Sequence, residues 1–251
     1  MNRRLLMLNS LLLGSCSGLL NSCSSPKKPA PVKENPRIDD LVLPLSEFQK
    51  LELVEQLSYL GFTLGTKSFI RIFKNEKILE IWLLKADEKF HLYRKFPICT
   101  FSGKLGPKLK EGDYQAPEGI YSVGEKQLNP NSQYHLALRL NYPNEYDRHR
   151  NRTGSLLMIH GGCISSGCYA MENKQIEIIY SVVSASLQRG QLAVPVHIFP
   201  FRLTKTNLEL HKNHEWIGFW QELSPIYNYF EKHKKPPFVK VENGFYKIYE
   251  I

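Results

Sequence analysis

Fourteen residues, Met158–Met171, hold one His, two Cys, two Ser and three Gly, in the order His160, Gly161, Gly162, Cys163, Ser165, Ser166, Gly167 and Cys168. A thiol near an imidazole is the minimal set for nucleophilic catalysis: the imidazole takes the thiol proton and the sulfur attacks a carbonyl carbon. Glycines allow turns at positive φ and close approach of backbone to a ligand. Ahead of a helix, free N–H groups and the helix dipole favour the thiolate of Cys168. The N–H groups of Gly167 and Cys168 can then hold an oxyanion. Other readings fit the same residues. Cys163 and Cys168 can be paired, or buried as inert thiols. A zinc site from His160, Cys163 and Cys168 has poor spacing and no fourth ligand nearby, so no metal is expected.

The flanking pattern says what must position this segment. Leu156–Ile159 is an apolar run ending at His160, and a helix follows, capped by Asn173, with Ile176, Ile179, Tyr180, Val183 and Leu187 on one face and Gly190 as its stop. Upstream, Ser46 with Gln49 reads as a capping box, with Leu51, Val54 and Leu57 as a stripe and Gly61 as the C′ glycine. Ile70 and Ile72, Ile78–Leu84, Gly119–Val123 and His135–Leu140 read as strands, and Val194–Phe199 as a strand broken by Pro195. Trp216, Phe219, Trp220 and Leu223 mark an aromatic helix, taken as core packing, with Ser224-Pro225 opening another. Asn243-Gly244 closes a hairpin. His197 reads as a satisfied core histidine. The sum is α+β, a β-rich body with helices at both ends.

The composition is that of a globular chain: 251 residues, 42% hydrophobic and 23% charged, which excludes disorder, collagen and a multi-span membrane protein. Five Cys are too few for a disulfide scaffold of this length. The formal charge is +9, but residues 1–40 carry six Lys/Arg against three Asp/Glu, and the rest is scattered without an Arg/Lys-aromatic motif. A nucleic-acid partner is therefore not expected. Arg3 and Arg4 precede the apolar run Leu5–Leu13, too short to span a bilayer and suited to a secretory signal. Leu13–Cys16 and Leu20–Cys23 both resemble the lipobox of bacterial lipoproteins. Cys23 is preferred as the lipidated residue, with Cys16 and an ordinary cleaved signal as alternatives. Four prolines with charges follow between Ser24 and Pro36, an extended tether. The expected organisation is a signal over 1–22, a tether over 23–44 and a folded domain over 45–251. The chain is expected to be exported and held in the cell envelope, facing the periplasm from a lipid anchor.

The segment resembles the signature of the L,D-transpeptidase (YkuD-like) catalytic domain family, a strand ending in His-Gly and then Ser-x-Gly-Cys. The eight-residue step from His160 to Cys168 is about half the usual one and is similar to the YafK-like subgroup. Phe69–Lys74, Leu79–Trp82, Ser102–Lys108, Glu111–Asp113, Ala116–Tyr121, Asn141–Asn144, Asp147-Arg148, Arg152–Gly154 and Val194–Arg202 resemble other family segments in order. The likeness runs from about Leu45 to Tyr246.

The resemblance implies a β-sandwich-like catalytic core with flanking helices and no cofactor. Cys168 matches the nucleophile, His160 its base, Ser165 the motif serine and Gly167 an oxyanion-holding glycine. Ser166 stands where many members carry a second histidine, so roles resting on that residue do not carry over. The implied activity is acyl transfer or hydrolysis on peptidoglycan stem peptides at the diamino acid. For the YafK-like subgroup, hydrolysis releasing a murein-bound lipoprotein is implied. Stem carboxylates call for basic groups, and Arg152 and Arg148 are the candidates, with an ion-pair network around Asp147 as the alternative. Cys99–Cys163 paired with Cys168 free is the arrangement consistent with that mechanism; two buried thiols are the alternative. A non-catalytic wall-binding lipoprotein is the rival reading.

Overall fold

Every residue of strand β1 (Ser68–Phe73) is buried, so both faces of its sheet must be covered. Ile70 and Ile72 enter one apolar cluster, while Phe69 and Phe73 face two others. This is period-two alternation with apolar partners on both sides. The computed structural model describes Glu47 and residues 51–249. The expected signal, the tether, Cys16, Cys23 and the Ser46–Gln49 capping box lie outside these.

In chain order the elements are α1 (Leu53–Tyr59), β1, β2 (Ile78–Leu84), β3 (Phe90–Pro97), β4 (Thr100–Phe101) and β5 (Gly119–Val123). Then come β6 (Leu128–Ser132), β7 (His135–Arg139), α2 (Glu145–His149), β8 (Met158–His160), β9 (Tyr169–Ala170) and α3 (Asn173–Gln188). The chain continues with β10 (Val194–Phe199), α4 (Lys205–Leu210), α5 (Ile217–His233), β11 (Phe238–Glu242) and β12 (Phe245–Tyr249).

Two five-stranded sheets result, ordered β3-β2-β1-β10-β5 and β4-β9-β8-β7-β6, plus the β11-β12 hairpin. Only β1-β10 and β8-β9 pair in parallel among the described strands. The largest cluster joins Ile70, Ile81 and Val196 of the first sheet to Leu138 and Ile159 of the second, with Ile176, Ile179 and Val183 of α3. On the other face of the first sheet, Phe219, Trp220, Leu223, Ile226 and Tyr227 of α5 pack against Phe73 and Phe199. The α+β class and the layered β core agree with expectation.

Several local readings change. Val54 is 55% exposed, and the buried side of α1 is Leu57 with Leu60. The Gly61 stop holds: its N–H bonds the Ser58 carbonyl and that of Phe62 bonds Leu57, the paired pattern of a left-handed helix end. Gly190 ends α3 the same way, through Leu187 and Ser186. Pro195 does not break β10, because pairing with β1 begins only at Val196. Nor does Ser224-Pro225 start a helix. It lies inside α5, whose buried stripe continues through Leu223, Ile226 and Phe230. That burial outweighs the lost N–H of Pro225. Asn243 and Gly244 both take positive φ, as a two-residue hairpin turn requires. His197 is 2% exposed against Phe69 and Phe199, and its Nδ1 has no partner. It is a core histidine, held neutral with a pKa lowered to about 3 by burial and by Arg71.

Residues 102–118 join β4 to β5 with no regular structure, and one ion pair holds them. Lys74, just past β1, lies 3.1 Å from Glu118, both side chains wholly buried. Its Nζ also donates to the carbonyls of Lys104, Gly106 and Ala116. Glu118 accepts from the Gly106 N–H and from Trp220 Nε1. Lys74→Met is expected to cost about 3–5 kcal/mol by leaving a buried carboxylate unpaired. The check is a fall in the urea unfolding midpoint at an unchanged slope.

Candidate active site

Strands β8 and β9 pair in parallel with Ile159 opposite Tyr169 and His160 opposite Ala170. Extended by one residue, this register puts Cys168 level with Met158, two places from His160. The thiol meets the approach to β8, where the Leu156 carbonyl accepts from it, while His160 ends that strand. Parallel neighbours usually need a crossover of about a dozen residues. Here residues 161–168 suffice, because the loop is clamped at several points.

Cys163 is bonded to Cys99, with Cα atoms 5.3 Å apart, and Cys168 is the free cysteine among the described residues. This is the pairing consistent with a free nucleophile. It removes both the Cys163–Cys168 bridge and the zinc set that included Cys163. The Gly162 N–H donates to Asn173 Oδ1. Asn173 was expected to cap α3, but Glu172 holds the N-cap position and the Asn173 side chain is spent on the loop. At Gly161 a Cβ would meet Asn173 Oδ1, the Tyr134 carbonyl and Ile176 at 3.0 Å or less, so glycine is required there. Gly167 is required for its φ of +126°.

Ser165 ties the end of the loop: its Oγ donates to the Cys168 carbonyl at 2.7 Å and accepts from the Cys168 N–H at 3.0 Å. That corrects the expected oxyanion donors. The Cys168 N–H is already committed, which leaves the Gly167 N–H as the uncommitted one of the two. Ser166 is exposed.

His160, 1% exposed at the end of β8, donates from Nδ1 to the Gly161 carbonyl at 2.6 Å. A carbonyl only accepts, so Nδ1 carries the proton and Nε2 is the basic nitrogen. The Tyr134 ring, in the turn between β6 and β7, lies tilted against the imidazole at 4.6 Å between centroids. The Cys168 thiol is not hydrogen-bonded to the imidazole; it donates to the Leu156 carbonyl at 3.7 Å. Leu156 and Cys163 both take left-handed φ near +54°, a strained state for residues with a Cβ.

Burial lowers the His160 pKa, with the Gly161 bond opposing. Burial raises that of Cys168, with the Met158 backbone and the Lys108 charge opposing. The helix-favoured thiolate of the sequence reading is therefore not realised: β9 stands between Cys168 and α3, and desolvation wins. The resting pair is a neutral thiol and a neutral imidazole.

The arginines lie apart from this cluster in bonding. Arg152 is 6% exposed and donates to Asp147 Oδ1 at 2.9 Å, packed near the rings of Tyr146 and Phe219. Arg148 is exposed and donates to the Pro143 carbonyl at 2.6 Å. Asp147 thus pairs with Arg152 and not with Arg148. Sequence reasoning missed Tyr134, Asn173 as a loop clamp and the Leu156 carbonyl. None has a spacing signal, since backbone and ring contacts arise only in the fold.

The chain belongs to the L,D-transpeptidase catalytic domain family, YkuD, whose model matches residues 68–198, the span that holds both sheets' pairing, His160 and the free Cys168. The chain is 39% identical over 249 residues to the protein named "Putative L,D-transpeptidase YafK" of Escherichia coli K12, covering 98% of this chain and 90% of that one. Its counterpart in Escherichia coli O157:H7 gives the same figures. Among solved structures, the helical cell shape determining protein Pgp2 from Campylobacter jejuni aligns at TM-score 0.42 and 18% identity, over 76% of this chain and 81% of that one. That likeness is too loose to bear on the chemistry.

Two outcomes are expected. Alkylation of the folded chain without reductant, read by mass, labels Cys168 and leaves Cys99 and Cys163 unlabelled; labelling all three would exclude the bridge. The pH–rate profile on muropeptides has an acid limb below about 6.5, where His160 becomes protonated, and an alkaline limb above the ordinary thiol range. A preformed thiolate–imidazolium pair would give the reverse, with its thiol midpoint in the acid range.

Proposed function

We propose that the chain is a cysteine acyl-transfer enzyme acting on peptidoglycan stem peptides at the diamino acid, with Cys168 as nucleophile and His160 as base. The observation that carries this reading is the fixed tautomer of His160: its Nδ1–H is held by Gly161 and its Nε2 is basic, at the end of the strand whose neighbour, β9, directly follows the free Cys168.

In the reaction the thiol leaves the Leu156 carbonyl and passes its proton to His160 Nε2 as sulfur attacks the amide carbon. The tetrahedral oxyanion draws on the Gly167 N–H. Collapse breaks the C–N bond, the leaving amine takes the proton from Nε2, and a thioester remains on Cys168. His160 then deprotonates water or an incoming amine, which displaces the thiolate. Of the two candidate arginines, the exposed Arg148 is favoured for a stem carboxylate, since Arg152 is buried and committed to Asp147.

Hydrolysis is the favoured outcome, including amide cleavage that releases a murein-bound lipoprotein. Its support is the compact His160-to-Cys168 step that resembles the YafK-like subgroup. A lipidated Cys23 would hold the enzyme at the membrane, facing the periplasm. A disulfide in the described domain fits an exported chain, since disulfides persist in oxidising compartments.

The test is incubation with intact sacculi and defined tetrapeptide muropeptides in ¹⁸O-labelled water, with products identified by mass. The expected product carries one labelled oxygen at the new carboxylate. Unlabelled products larger than the donor would show transfer to an amine instead. Cys168→Ala and His160→Ala are each expected to lower turnover at least about 100-fold. Products at the wild-type level from both variants would remove the nucleophile assignment.

A further inference from the structure

Lys108 is a cation that the mechanism leaves unused, yet it is only 4% exposed. Its ammonium pairs with Asp113 and donates to the Lys110 carbonyl at 2.9 Å. Asp113 also accepts from the N–H groups of Leu109, Lys110 and Gln115 at 2.9–3.0 Å, so the counter-ion is fixed by its own turn. A buried lysine with so few solvent contacts needs a reason beyond solubility.

Its surroundings lead to the nucleophile. Lys108 Cε lies 2.6 Å from where a Cβ on Gly154 would stand, so the stem lies directly against that backbone. Two residues on, the Leu156 carbonyl holds the Cys168 thiol. Tyr142 fastens the two segments together, its hydroxyl lying 3.3 Å from the Lys108 carbonyl and 3.2 Å from that of Thr153. On the far side of the loop, the Gln115 carbonyl is 3.8 Å from a Cβ position on Gly167, next to Cys168.

We propose that Lys108, aimed by Asp113, is a positioning residue for the nucleophile: its stem sets the Gly154–Leu156 segment that holds the Cys168 thiol, with its ammonium fixed in the same wall. The charged and titratable groups facing the thiol or its wall are Lys108 with Asp113 from the 102–118 loop, Glu111 beside Gly154, and the Tyr169 phenol, which follows Cys168 in β9 and donates to the Pro117 carbonyl. Lys108 is the one whose charge opposes the effect of burial on Cys168. In a site too buried to favour an anion, a fixed cation limits how far desolvation raises the thiol. Lysine suits this task because its long stem fills the space under a glycine while its head reaches a carboxylate.

The inference rests on Cys168 being the nucleophile, but its test needs no substrate. The full chain is alkylated with iodoacetamide across a pH series, and the rate at Cys168 is read by peptide mass. Lys108→Gln removes the charge and keeps a hydrogen-bond donor; its alkylation midpoint is expected about one pH unit higher, with roughly tenfold less thiolate at neutral pH. Lys108→Arg is expected near wild type. Asp113→Asn, whose one amide oxygen can still accept the Leu109 and Lys110 N–H groups, keeps Lys108 and removes its counter-charge, so the midpoint is expected to fall. A folded Lys108→Gln chain with an unchanged midpoint overturns the proposal. Where that variant does not fold, an unchanged or higher midpoint in Asp113→Asn overturns it. Either result leaves the acyl-transfer reading standing, because that reading fails only on the muropeptide products.

Discussion

The Lys74–Glu118 pair is the constraint on which the site depends. Taking an ammonium and a carboxylate out of water costs several kcal/mol per ion, and attraction offsets this only when the remaining protons and lone pairs are also satisfied. Here they are: three loop carbonyls surround Lys74, while a backbone N–H and the Trp220 indole reach Glu118. The pair therefore ties four parts of the chain together, the end of β1, the 102–118 loop, the entry to β5 and helix α5. The Tyr169 hydroxyl donates to Pro117 in the same loop at 2.7 Å, one residue after Cys168. A segment without a ladder of its own becomes a rigid wall because a buried charge needs its carbonyls.

The second wall is residues 161–168, and its logic is redundancy. Cys163 and Leu156 sit in left-handed conformations that cost about 1–2 kcal/mol each for residues with a Cβ. Such states persist where surrounding bonds over-determine them. The disulfide fixes Cys163, Asn173 fixes Gly162, and Ser165 closes a ring on the backbone of Cys168. The parallel β8-β9 register then holds the end of the loop against β8. The imidazole and the thiol each donate to a backbone carbonyl, His160 to Gly161 and Cys168 to Leu156.

Much of this was legible in the sequence, for stated reasons. His160, Ser165, Gly167 and Cys168 fall together because they lie within nine consecutive residues, and cysteine is scarce elsewhere in the chain. Gly61, Gly190 and Asn243-Gly244 were readable because left-handed ends and two-residue turns demand those residues. The errors have equally local causes. Val54 fits a helical stripe, but a helix of one face and two turns can be rotated by a single residue without changing its pattern. Pro225 reads as a helix start because the burial that overrides it comes from Phe73 and Phe199, distant in sequence. Lys74 and Glu118 looked like two ordinary charges 44 positions apart, and nothing local marks them as partners. The thiol's electrostatics were misjudged for the same reason: proximity to a helix is visible in sequence, whereas desolvation is a property of the packed whole.

That desolvation has a consequence for how the free Cys168 thiol would meet an oxidant, in a domain that also carries the Cys99–Cys163 bridge. The thiolate, not the thiol, is the species that peroxides and disulfides attack. Burial favours the protonated form of Cys168, whose S–H donates to the Leu156 carbonyl, so the vulnerable form is scarce until a base acts on it. A raised thiol pKa also makes a stronger nucleophile once the proton is gone. On the proposed acyl-transfer reading the thiolate must still form during turnover, which sets a limit on burial. A neutral, oriented imidazole suits that requirement, since only an unprotonated Nε2 can accept a proton. Burial of both groups thus sets protection of the thiol against its reactivity.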